Sequence, residues 1–286
     1  MWDIAVGQDT TGNNSNIASD TSITTVNEKR ISSTGYQKIK VYKLKPAIDI
    51  PLTLITDGWC GYAFTKIYSK DRLTPEELQN LNPANINRFD RRAINHYSES
   101  TSQIADYIFY GSMPLPILLL ADKKMRNDFF KLSFLYLEAM GITGIFYTSA
   151  VYFADRYRPY TYNENVPLDF RLRGGSRNSF FAGHPALVGT STFFMATVYA
   201  NYHPDSKIKW VFYSLAAIAT GTTTIARYLG GRHFPTDLII GTTLGPLSGI
   251  LVPALHKNKK NRNPSTTLLP YFGNGGGITL IHNFNK

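Results

Sequence analysis

The 286 residues contain one cysteine, Cys60, so an intrachain disulfide is excluded and cysteine usage says nothing about compartment. No Cys/His cluster has the spacing of a zinc site, and no internal repeat is evident. Acidic residues are scarce: 20 Asp and Glu face 30 Lys and Arg, a net charge of +10 that suits nucleic acid, anionic lipid or a phosphorylated substrate. Nucleic acid is the weaker choice of partner, because the basic residues lie in short clusters between apolar runs. The start of the chain lacks the basic-then-apolar pattern of a cleavable signal. Either an internal first membrane helix takes its place or a signal has been trimmed.

What is present is a series of apolar stretches. Residues 1–34 are polar, rich in Ser, Thr and Asn, and read as disordered. Residues 48–67 are mixed, carrying Asp49, Asp57 and Trp59. The polar region 68–103 holds Thr74-Pro-Glu-Glu77, a capping box that predicts a short surface helix. His96 reads as a surface histidine. Residues 104–121 are apolar, with Pro114 and Pro116 expected to kink them. Residues 129–154 exceed the roughly 20 needed to span a bilayer, and Glu138 among them reads as a polar contact between helices. Residues 185–200, 210–226 and 238–255 are uncharged and rich in the small residues that let helices pack closely.

The predicted fold is all-α: a helical bundle with about six apolar, transmembrane helices, short polar helices in 68–103, and a short β-like tail. The expected domains are 1–34, a helical domain over 35–262, and the tail 263–286, in which His282 reads as structural or exposed. The oligomeric state is open.

The chemistry concentrates in residues 226–237, Ala-Arg-Tyr-Leu-Gly-Gly-Arg-His-Phe-Pro-Thr-Asp. Gly230-Gly231 end one helix, and Pro235 opens the next at a position where a missing N–H costs nothing. His233 then lies in a tight turn, with Asp237 four residues on. A carboxylate there can accept from one imidazole nitrogen and leave the other free to attack. A second fragment, Ser179-Phe-Phe-Ala-Gly183-His184-Pro185, places a histidine at another helix start, where backbone N–H groups bind anions. A third, Asp155-Arg156-Tyr-Arg158-Pro159, closes an apolar run. Two His, two Arg and one Asp at helix ends describe a phosphate pocket with its own acid and base.

Arg158-Pro159, Gly183-His184, and Arg227 followed by His233 and Asp237 resemble the type 2 phosphatidic acid phosphatase superfamily. That family also holds bacterial acid phosphatases and vanadium haloperoxidases. The resemblance spans about residues 138–256. It implies a metal-independent hydrolase of a lipid phosphomonoester or pyrophosphate that needs no cofactor and passes through a phosphohistidine. His233 is the implied nucleophile, Asp237 its orienter and His184 the acid and base. Arg158, Arg227 and the Gly183 N–H are the implied phosphate donors. Three family positions differ: a motif Lys is Val151, a Ser is Ala182, and the residue before Arg227 is Ala226. Arg156, Arg173, Arg177 or Arg232 is a candidate for the missing cation, and Ser179 for auxiliary contact.

Lys123, Lys124, Arg126 and Lys131, then Lys207 and Lys209, then Lys257, Lys259, Lys260 and Arg262 fall on one face if the spans alternate. By the positive-inside tendency that face is cytoplasmic, and the pocket opens to the periplasm. Three alternatives stand beside this reading: a soluble periplasmic acid phosphatase, a vanadium-dependent haloperoxidase, and a catalytically weak membrane protein that binds lipid phosphates.

Overall fold

The structure, a computed structural model, describes residues 40–258 and the backbone of residues 266–272 and 276–282. The polar segment 1–34 and the basic residues Lys259, Lys260 and Arg262 lie outside the described residues.

Six long helices carry the architecture: α1 (Pro46–Tyr68), α2 (Glu99–Ser112), α3 (Phe129–Ala154), α4 (Gly183–Tyr202), α5 (Ile208–Leu229) and α6 (Pro235–His256). The expected capping box is present: Thr74 and Glu77 satisfy each other's backbone N–H at the start of the helix Pro75–Gln79. Short 3₁₀ turns at Pro83–Asn85 and Arg91–Asn95 complete the polar region. Pro114 and Pro116 end α2 and start a 3₁₀ turn over Leu115–Ala121, because neither can donate to a continuing helix. The tail contributes two antiparallel strands, Thr266–Phe272 and Gly276–His282, with Thr266 opposite His282.

Three segments are long and apolar enough to cross a bilayer: Glu99–Ala121, Phe129–Tyr162 and Pro235–His256. The other long helices reach comparable length but carry more polar side chains. In α4 the reason is position. It packs against α2, α3, α5 and α6, so most of its surface meets protein, and Thr190, Ser191, Thr192 and Thr197 are buried there. Interhelical hydrogen bonds use these hydroxyls: Thr143 with Thr190 at 2.7 Å, Tyr136 with Ser191 at 3.0 Å, and Ser248 to the Ala139 carbonyl at 2.8 Å.

Gly241, Gly245 and Gly249 recur every fourth residue and form one stripe on α6. A Cβ at each would collide with the carbonyls of Ala182, Ala186 and Thr190 on α4. The stripe sets how closely these helices approach, and so fixes His184 at the start of α4 near the turn that starts α6.

The helices alternate in direction. His203, just past α4, bonds Asp122 before α3 at 3.0 Å, and the Lys43 N–H reaches the His256 carbonyl at 2.9 Å. One end of the bundle therefore gathers Lys43, Lys45, Lys123, Lys124, Arg126, Lys131, Lys207, Lys209 and Lys257. The ends of α3 and α5 and the starts of α4 and α6 gather at the other. Outward faces are apolar: Phe130, Leu137, Phe146 and Phe153 on α3, and Trp210, Leu215, Ile218 and Ile225 on α5, are all exposed.

Candidate active site

The turn between α5 and α6 is built around Gly231, whose φ of +67° is left-handed. Any Cβ there would also strike the His96 carbonyl. His96 itself is half-buried rather than on the surface, its ring centroid 4.6 Å from that of Tyr228. The turn delivers His233 into the interior, 1% exposed.

His233 Nδ1 donates to the Ser179 carbonyl at 2.7 Å, which leaves Nε2 as the lone-pair nitrogen. The expected partner, Asp237, comes only to 3.9 Å from Nδ1. Its Oδ2 is already engaged, accepting from the Phe234 N–H at 2.9 Å and the Ser179 hydroxyl at 2.6 Å. Asp237 thus caps α6 and holds Ser179, and Ser179 in turn holds the imidazole. Arg156 pairs with the other Asp237 oxygen and with Asp90 at 2.8 Å, and lies 4.4 Å over the Phe234 ring.

His184 is held from two sides. Its Nδ1 lies 3.2 Å from Arg227 Nη2, and its Nε2 lies 3.0 Å from Asp106. Guanidinium only donates, so Nδ1 accepts and Nε2–H donates to the carboxylate. Arg227 also reaches Asp106 at 2.9 Å and Ser102 at 3.0 Å. Gly183 is required by packing, since a Cβ there would lie 2.5–2.9 Å from the Tyr147 ring. The start of α4 has no side-chain cap, so its first N–H groups keep their capacity for an anion.

Charge explains the rest. Burial first, then the positive charges of Arg158 and Arg227, push the His233 imidazole well below its ordinary pKa of 6.5. Burial and Arg158 likewise lower Arg232, although Glu99 pairs with it at 2.8 Å. Arg158, Arg227 and Arg232 therefore crowd one region together with both imidazoles. Among the described residues no carboxylate lies within ion-pair distance of Arg158. The Nε atoms of Arg158, Arg227 and Arg232 are buried without a hydrogen-bond partner.

Of the candidates for the missing cation, Arg232 is the one that joins this cluster. Arg177 pairs with Glu77 and Asp155, Arg173 lies over the Phe170 ring, and Arg156 serves Asp237. Val151 sits in an apolar cluster with Ile67, Tyr147, Phe181 and Ala186, where a lysine ammonium would be desolvated.

Asp106, Ser102, Asp90 and Tyr147 were not visible as site residues in the sequence. Asp106 was an isolated charge in an apolar run, and that isolation was the one usable signal. Asp90 is fully buried. Burial alone would raise its pKa, but hydrogen bonds from Thr236, Asn87 and Arg156 hold it below the usual value. The phenol of Tyr147 lies within electrostatic reach of Arg158 and Arg227.

Two imidazoles and three guanidiniums thus converge at one end of a helical bundle. Residues 132–261, from α3 past the end of α6, match the family model of the PAP2 superfamily, so this stretch of the chain is a PAP2 superfamily region. No curated protein sequence matches the chain. Among solved structures, the chain is similar to the first transmembrane PAP2 type phosphatidylglycerolphosphate phosphatase from Bacillus subtilis. The two are 19% identical with a TM-score of 0.46, over 76% of this chain and 98% of that one. Aquifex aeolicus LpxE is 24% identical with a TM-score of 0.39, over 57% of this chain and 90% of that one.

Proposed function

We propose that the chain is a membrane-embedded phosphatase that hydrolyses a lipid phosphomonoester or pyrophosphate through a phosphohistidine on His233. The observation that carries the reading is the set of three clustered guanidiniums, Arg158 without a carboxylate, around two imidazoles. Like charges held this close call for a polyanion between them. Arg158, Arg227, Arg232 and the Gly183 N–H supply donors for the phosphoryl oxygens, where charge develops in the transition state.

In the first step His233 Nε2 bonds to phosphorus as the bond to the leaving oxygen breaks. With Arg227 turned to the phosphate, His184 enters this step as the imidazolium, its Nδ1 having taken a proton from solvent and its charge balanced by Asp106. Nδ1 gives that proton to the leaving oxygen and the ring becomes neutral. In the second step His184 takes a proton from water, the water oxygen bonds to phosphorus, and the phosphorus–nitrogen bond breaks. Asp237 acts through Ser179, keeping the nucleophile's Nδ1 engaged.

The apolar outward faces support a lipid substrate. Side chains such as Phe146, Leu215 and Ile218 are exposed, and a bilayer would cover them. The lysine-rich end would then face the cytoplasm and the pocket, whose arginines serve the phosphate, the periplasm, in a bacterial-type inner membrane. The test is phosphate release from lipid and soluble phosphoesters by detergent-purified protein. His233→Ala should abolish release, losing roughly 10⁴-fold or more. Hydrolysis confined to soluble esters would select an acid phosphatase, and peroxide-dependent bromide oxidation with vanadate a haloperoxidase. Lipid-phosphate binding without release would mark a non-catalytic protein.

A further inference from the structure

At the other end of α6, roughly 28 Å along the helix from Asp237, three buried side chains meet that the phosphate chemistry does not use. They are Asp49 in the first turn of α1, Glu138 in α3 and His256 at the end of α6. One donor atom from each lies within 4.8 Å of the others. His256 Nε2 is 3.2 Å from Asp49 Oδ2 and 3.6 Å from Glu138 Oε2. All three are at least nine-tenths buried, with exposures of 4%, 3% and 9%.

Hydrogen bonding makes this trio incomplete. His256 Nδ1 lies 2.9 Å from the Val252 carbonyl, which can only accept, so Nδ1 carries a proton. In the neutral ring Nε2 is then a lone pair aimed at two carboxylate oxygens. Glu138 Oε2 has no hydrogen-bond donor and is sealed from solvent. Asp49 Oδ2 accepts from the Lys45 backbone N–H, but no donor lies between His256 Nε2 and Glu138 Oε2, so either protons or a cation must fill that space. Protons alone would need two, one on His256 and one on Glu138, to leave no net buried charge. A divalent cation with two carboxylates and a neutral imidazole sums to zero.

We propose that Asp49, Glu138 and His256 form a metal site that takes one divalent first-row transition ion and ties α1 to α3 and α6. An imidazole with two carboxylates suits zinc or manganese rather than a soft cuprous ion. The Nδ1–H to backbone carbonyl bond is the outer-shell contact that fixes the tautomer of a ligating histidine. The carbonyl end of α6 adds a favourable field for a cation. A cleft of about 350 Å³ lined by Leu44, Pro46, Asp49, Phe130 and Lys131 offers an entry route. The ammonium in that cleft, Lys131, is held by Asp128 at 3.1 Å.

The experiment uses the full chain purified in detergent, stripped with chelator, reloaded with Zn²⁺ and dialysed, with bound metal measured by mass spectrometry. The wild type should retain one zinc per chain, and added Zn²⁺ should raise its melting temperature. Glu138→Gln, nearly isosteric and expected to fold, and His256→Ala should each bind at least tenfold more weakly and lose the thermal shift. Co²⁺ titration of the wild type should give the visible absorption of a nitrogen- and oxygen-ligated ion, so a variant that fails to fold does not decide the matter. Wild-type protein that binds neither ion, or binds both as well as its variants do, overturns the proposal. Phosphate release is a separate readout, since the two sites share no residue.

Discussion

His233 illustrates how one side chain's surroundings set its chemistry. The nucleophilic role proposed for it needs a neutral ring, and burial and two guanidiniums hold the proton off. Lowered folded pKa means that the imidazole stays neutral as pH falls through the ordinary histidine range and protonates only below it. The acid limb of kcat/KM is therefore expected below pH 6.5 in a pH–rate profile. Arg158→Met removes one of those positive charges, so it should move that limb upward as well as slow turnover by about 10²–10³-fold. A limb that stays in place after the substitution would refute the electrostatic account.

At the same scale, Asp106→Asn tests the role given to His184. A carboxylate that balances the imidazolium matters most when the leaving oxygen needs a proton. The substitution should lower kcat about tenfold or more on alkyl phosphate esters, a part of the roughly 10²–10⁴-fold that general acid–base help supplies in full. It should cost much less on p-nitrophenyl phosphate, whose leaving group departs without a proton. Equal losses on both substrates would make Asp106 a structural residue only.

Among the elements, the pairing of α4 with α6 matters most for the site, because those helices start at His184 and just after His233. Their separation depends on the Gly241, Gly245 and Gly249 stripe. Gly245→Leu would drive a side chain into the Ala186 carbonyl. Activity should fall to background while circular dichroism still reports helix. Gly221→Ala is the control, since a Cβ there meets nothing within 4 Å. In the connecting turn, Gly231→Ala should cost about 1–2 kcal/mol for its left-handed backbone alone, with the His96 carbonyl adding to it. A lowered melting temperature checks this.

For the whole molecule, the decisive property is the separation of its two ends. The lysine-rich clusters and both boundaries of the helical region lie at one end, where Tyr42 bridges Lys257. The pocket of imidazoles and guanidiniums lies at the other. In a Cys60→Ser background, single cysteines at exposed Glu164 and Lys207 should differ in reaction with an impermeant maleimide on intact cells. Glu164→Cys should label and Lys207→Cys should not. The reverse pattern would turn the pocket toward the cytoplasm.

Much of this was legible along the chain. Apolar runs marked where the long helices lie, because burying a helix in protein or lipid demands apolar length, although of the six expected spans three segments of the described residues are long and apolar enough to cross a bilayer. The spacing from Arg227 to His233 and Asp237 marked the candidate site, because glycine and proline dictate where helices stop and start. Folding alone decided which groups touch. Asp237 and His233 are four residues apart, yet their link runs through Ser179, fifty-four residues upstream of His233, since the carboxylate is turned back to cap its own helix. Asp106 and the trio of Asp49, Glu138 and His256 were unremarkable acids and a terminal histidine in sequence. Their roles come from distant segments meeting inside a bundle, where a charge without a partner is costly.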